Sequence, residues 1–172
     1  MAKISGGVRT LKGGSREFTA RQSEVRQLEN SGLYSSVEFS KKGGGYVAVE
    51  KSSYKHKLEE LEAARFLSDK GYKVILKDEA GELKTPDGKI FKYSFEQRTP
   101  EGSTASNFAK SLEHAKLKKA DIALVYMKYN LHTKQSVVEG IKKYESHKTN
   151  THRFNEIIIV TPDGRIHRHK HN

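Results

Sequence analysis

Three carboxylates and one guanidinium draw attention in the middle of this 172-residue chain: Glu60, Asp87, Glu96 and Arg98. Asp87 ends the turn-forming tripeptide Thr85-Pro86-Asp87, ahead of Gly88. Glu96 and Arg98 lie two apart in the β-rich run KIFKYSFEQR. Residues two apart on a strand project from one face, so Glu96 and Arg98 point together while Gln97 points away. Two acids beside a cation suit cleavage of a phosphodiester: the acids hold a divalent metal that activates water, and the cation stabilises the extra charge of a phosphorane-like transition state. The same residues also have a structural reading. Glu-x-Arg on one strand face is a common ion pair, aspartate after proline is ordinary turn chemistry, and Glu60 shares its helix with Glu59 and Glu62, as on a solvated acidic side.

Other residues could take part. For metal-free acid-base cleavage through a ribose 2′-hydroxyl, His114 and His132 are the candidate histidines. His167, His169 and His171 alternate near the chain end, a spacing that fits either one metal-binding face or a solvated basic tail. Ser103, Thr104 and Ser106 open a helix whose free amides suit a phosphate, and they suit N-capping equally well. Tyr93 and Phe95 alternate ahead of Glu96 and could stack bases or fill the core.

The elements that must position these groups follow from periodicity. Residues 1–15 read as a flexible basic arm, with Arg9 and Lys12 among glycines. A short helix spans about Ala20 to Asn30, with Thr19 before it, and a hairpin follows in which Lys41-Lys42-Gly43-Gly44-Gly45 is a turn. A helix over 54–70 carries Tyr54, Leu58, Leu61 and Ala64 at helical spacing, with Ala63 and Leu67 widening the face. Then come a strand at 72–77, one strand over KIFKYSFEQR, a helix at 104–118 and a buried strand in ADIALVYM. A helix at 134–144 buries Val137, Val138, Ile141 and Tyr144, and EIIIV and RIHRHKH form a closing pair. From residue 54 on, the order α-β-β-α-β-α-β-β predicts an α/β fold, a mixed central sheet flanked by helices, because strand-helix-strand crossovers leave strands parallel. Residues 1–51 are expected to be an accessory arm, helix and hairpin, and 52–172 the main domain.

Composition narrows the function classes. Cysteine is absent, which excludes disulfides, thiolate metal sites and cysteine nucleophiles. No apolar run approaches bilayer length, and the first twenty residues lack the apolar centre of a secretory signal. Thirty-two basic against 21 acidic residues give a net charge of +11, a field that attracts polyanions, nucleic acid foremost.

The stretch from HKLEELEAARFLSDKGYKVIL through KTPDGKIFKYSFEQRTPEG to LKKADIALVYM, closed by EIIIVTPDGRI, resembles the C-terminal tRNase domains of contact-dependent inhibition (CdiA) toxins. Similar nuclease domains occur joined to phage head-morphogenesis proteins. Glu60, Ala63, Ala64, Gly71, Tyr72, Val74 and Leu76 match the first block of that pattern, Thr85-Pro86-Asp87 the second and Ala120-Asp121 the last. The series Asp87, Glu96, Arg98 also looks like a PD-(D/E)xK nuclease core. Two positions depart: Arg98 stands where the family has lysine, and Lys119 where it has glutamine. Arginine keeps the charge and can fork onto a phosphate, but it cannot act as a general base.

The resemblance implies an RNA-cleaving nuclease, with tRNA as substrate and a cognate immunity protein as partner. Its expected site of action is the cytoplasm, with delivery into a target cell. Asp87 and Glu96 would be catalytic and would hold a divalent ion, magnesium or zinc, with Glu60 in support and Arg98 on the scissile phosphate. Arg9, Lys12, Lys41, Lys42 and Thr104 would bind the nucleic acid. The alternatives are a catalytically inactive nucleic-acid-binding or phage-assembly module on the same fold, or a partner-interaction domain.

Overall fold

The computed structural model describes residues 8–52, 56–78 and 85–171. They fall into two compact units, the first ending at Tyr93 and the second beginning at Ser94.

In the first unit, helix α1 (Arg16–Asn30) precedes the antiparallel pair β1 (Tyr34–Phe39) and β2 (Tyr46–Glu50). Helix α2 (Leu58–Ser68) then carries the chain to β3 (Lys73–Leu76), which runs parallel to β2, and β4 (Gly88–Ile90) returns antiparallel to β3. In the second unit, β5 (Tyr93–Arg98), α3 (Ala105–Lys116), β6 (Ile122–Tyr126), α4 (Lys134–Ser146) and β7 (Glu156–Val160) alternate. β5, β6 and β7 are parallel, and β8 (Ile166–Lys170) closes antiparallel on β7. Parallel neighbours joined by helices, with antiparallel pairs at the ends, give the expected mixed α/β organisation. No helix among the described residues is long and apolar enough to cross a membrane.

The second unit follows the periodicity closely. Phe108, Leu112 and Ala115 of α3 form one core cluster with Ala123 and Val125 of β6 and Ile157 and Ile159 of β7. Strands β6 and β7 are buried along their whole length, as parallel strands covered by crossovers must be. In α4, Ile141 and Tyr144 are buried, but Val138, expected inside, is 41% exposed. The reason lies at Gly140, where an added Cβ would stand 2.8 Å from the Phe108 Cβ and 2.9 Å from the Ala105 carbonyl oxygen. Contact with α3 is centred on that glycine, which turns Val138 outward.

Several expected elements differ. KIFKYSFEQR is two strands, not one, because Phe91 takes a left-handed φ of 54° and breaks the run at a turn. Helix α1 begins four residues early: Ser15 accepts from the Phe18 amide at 3.2 Å, and the buried Phe18 ring meets Phe39 edge-on at 5.1 Å. Helix α2 begins at Leu58, and the start expected for it at 54 lies outside the described residues. Its buried stripe is Glu60, Ala63, Ala64 and Leu67, while Leu58 is 58% exposed. Residues 8–15 are no free arm, because Leu11 is buried and its amide donates to the Gly43 carbonyl at 2.8 Å.

The run Gly43-Gly44-Gly45 is more than a turn. A Cβ at Gly43 would fall 2.0 Å from the Asp69 carbonyl oxygen, and one at Gly45 would fall 2.3 Å from that of Tyr72 and 2.4 Å from that of Ser68. The backbone after α2 therefore packs directly on this loop, and the Gly45 amide donates to the Ser68 carbonyl at 3.0 Å. The Arg21 guanidinium ties the contact from the other side, donating to the Gly44 and Gly71 carbonyls at 3.1 and 2.9 Å.

Two substitutions check this account by urea unfolding. Gly45→Ala should destabilise by about 2–4 kcal/mol, because the clash is with backbone and cannot be relieved by a rotamer. Lys119→Gly should stabilise by about 0.5–1 kcal/mol, since the exposed Lys119 holds a left-handed φ of 52°, a conformation that glycine adopts without the Cβ clash.

Candidate functional site

The chemistry-bearing strand is β5. Its register sets Glu96 beside Ala123 and Arg98 beside Val125 of β6. Ala123 and Val125 face the α3 and α4 core, so Glu96 and Arg98 project to that same side. The expected shared face is thus observed. Glu96 is 4% exposed, and the Arg98 Nη2 lies 3.2 Å from Glu96 Oε2. The Arg98 side chain remains about one-third open, at 35% exposure, and its buried Nε makes no hydrogen bond among the described residues. The guanidinium is therefore only partly engaged.

A clamp at the strand start sets this register. The Ser94 amide and hydroxyl donate to Asp121 Oδ2 at 3.1 and 3.2 Å, and the Asp121 amide donates to Ser94 Oγ at 3.0 Å. Asp121 belongs to the Ala120-Asp121 pair singled out in the sequence, and its role here is to join β6 to β5 two residues before Glu96. Sequence reasoning missed this use, because Ser94 and Asp121 lie 27 residues apart and nothing local marks them as partners.

The other acids lie in the first unit. Asp87 is 5% exposed and directly precedes β4, the strand entrance expected after Pro86, and its carbonyl accepts from the Lys77 amide at 2.9 Å. Glu60 is 8% exposed and does not lie on a solvated acidic face. Its Oε2 accepts from the Lys57 amide at 3.1 Å and lies 2.9 Å from His56 Nδ1, whose side chain is 2% exposed. The Lys57 ammonium has no acceptor to offer, so only the Glu60 half of a capping box exists. His56 was not among the sequence candidates, and its i, i+4 spacing to Glu60 was the signal. Glu60 thus orients an imidazole and caps a helix.

Arg9 and Lys12 are exposed in the segment that Leu11 ties to the β1–β2 turn, and Lys41 and Lys42 are exposed in that turn. The packing gathers these four cations on one part of the first unit. Thr104 caps α3: its hydroxyl accepts from the Asn107 amide at 3.2 Å and donates to Asn107 Oδ1 at 2.6 Å. Tyr93 and Phe95 are both buried, at 7% and 0% exposure, which fits core packing and not base stacking. His114 is exposed on α3 and His132 is buried.

Asp87 and Glu96 offer hard oxygen donors of the kind magnesium takes. Among the described residues, however, no three His, Asp or Glu side chains are grouped to hold a metal ion. Glu60, spent on His56 and an amide, does not complete such a set, and the terminal histidines do not form one.

No protein-family model and no curated protein matches this chain. Among solved structures, a chain of the CdiA-CT/CdiI toxin and immunity complex from Burkholderia pseudomallei matches with a TM-score of 0.50 and 18% sequence identity, covering 99% of this chain and 100% of that one. The likeness is one of fold.

Burial pushes the His132 imidazole below its ordinary value of 6.5, and the Gly102 carbonyl works in the opposite direction. The unfolded chain then binds this proton at a higher pH than the folded protein does, so stability should be lost as pH falls below about 6.5 through the folded value. Thermal unfolding between pH 7.5 and 5 should show a smaller loss in His132→Gln than in the wild type.

Proposed function

We propose that this protein is a toxin-type nuclease that cleaves RNA, with tRNA as its substrate class and a cognate immunity protein as its partner. The observation that carries the reading is the buried Glu96 beside a half-engaged Arg98 on β5, in a chain whose fold is like that of a chain from a toxin and immunity complex. The net charge of +11 supports a polyanionic substrate.

In this reading Arg98 forks onto the scissile phosphate and neutralises charge as the phosphorane-like state forms. Glu96 takes the proton of the attacking oxygen, water or the neighbouring 2′-hydroxyl, and Asp87 is the second acid of the reading, each carboxylate being of the kind that holds a magnesium ion. Such an ion would supply Lewis-acid polarisation. The exposed Arg9, Lys12, Lys41 and Lys42 hold the backbone electrostatically, so affinity falls steeply with salt.

A second reading is a nucleic-acid-binding module without cleavage. The ion pair itself favours it, because Arg98 in place of lysine is drawn toward Glu96 at 3.2 Å. Purified protein incubated with total tRNA and with genomic DNA, in magnesium or EDTA, separates the two. Cleavage of tRNA is the expected outcome, while a salt-sensitive gel shift with intact RNA supports binding alone. Glu96→Gln and Asp87→Asn should each lower cleavage at least about 100-fold with unfolding midpoints near wild type; cleavage at the wild-type rate refutes their assigned roles.

A further inference from the structure

The second unit contains a cavity of about 580 Å³ beside the start of α4 and the β7–β8 hairpin, a size within the range of small-ligand pockets. Its floor is apolar. Met127 and Ile159 belong to the α3–α4 core cluster, and Val137 packs against that cluster. The rim carries donors: Lys134, Arg165, His167 and His169. No aspartate or glutamate lines it.

Topology explains why the histidines meet this floor. His167 pairs in register with Ile159, and His169 with Ile157, so both imidazoles stand on the helix side of the sheet, about 7 Å apart along the strand. The alternation seen in the sequence thus serves one face, and two of the three histidines line one cavity.

The charges differ in availability. Arg165 pairs with Asp163 at 3.2 Å, whereas the Lys134 ammonium has no carboxylate partner among the described residues. Lys134 is the first residue of α4, a 13-residue helix whose opening amides add positive potential there. His132 lines the same cavity and is 7% exposed. Its Nδ1 lies 3.3 Å from Ser136 Oγ.

An apolar floor, stacking imidazoles and a cationic rim without acids select a ligand with a flat apolar body and an anionic end. We propose that this cavity is a nucleotide-binding pocket: the base lies on the floor against His167 or His169, and the phosphate meets the Lys134 ammonium. Unstacked bases are held in this way by aromatic side chains, histidine included, in single-stranded RNA recognition. The inference deepens the function proposed above. It rests on nucleic acid being the partner and not on the cleavage chemistry.

The test is titration of the imidazole resonances of the full chain by NMR. The probes are adenosine 5′-monophosphate, inorganic phosphate and a short 2′-O-methyl RNA that cannot be cleaved through its 2′-oxygens. The mononucleotide and the oligonucleotide should shift His167 and His169, with inorganic phosphate at least tenfold weaker. Lys134→Glu and His169→Ala, at surface positions, should each weaken both ligands about tenfold or more with unchanged unfolding midpoints. No shift at millimolar ligand, or equal binding of phosphate and mononucleotide, overturns the pocket. Mononucleotide binding with no tRNA cleavage supports the pocket while refuting the nuclease; cleavage with no shift at His167 or His169 refutes the pocket alone.

Discussion

The hydrogen-bonded clamp between Ser94 and Asp121 is the contact on which the arrangement around β5 depends. A parallel pair has no tight turn to set its register, so something at the strand ends must do so. Here a serine and an aspartate exchange three hydrogen bonds at the point where β5 and β6 begin. A slip of one residue would reverse the faces of β5, sending Glu96 and Arg98 to the side now occupied by Phe95 and Gln97. The position of the acid and cation on the helix side is therefore a consequence of register.

In the first unit the comparable constraint is the approach of backbone to backbone. Glycines let the β1–β2 loop press against the chain leaving α2, and Arg21 satisfies carbonyls from both segments. This contact holds residues 8–15 in place and gathers cations from two distant parts of the sequence. A basic surface built on such a loop is better ordered than a charged tail, and a ligand bound there loses less affinity to ordering the chain.

Burial changed the meaning of several polar residues. Glu60 looked like one member of a solvated acidic row, yet its neighbours on the helix face are Ala63, Ala64 and Leu67, and the carboxylate is retained inside by His56 and an amide. Burying a charge or hydroxyl is tolerable only with partners supplied, and the nearest partners along a helix lie three or four residues away.

Local periodicity sufficed for the kinds of element, their order and most of the core, because the helical and strand repeats of residues such as Phe108, Leu112, Ala115 and the EIIIV run follow directly from burying one face. It sufficed also for the common face of Glu96 and Arg98, which any strand imposes. Beyond its reach were the break at Phe91, the outward turn of Val138, the close packing at Gly43 and Gly45, and the cavity that His132 shares with His167 and His169. Each of these depends on how near a segment distant in sequence comes, and pattern along the chain carries no measure of that distance.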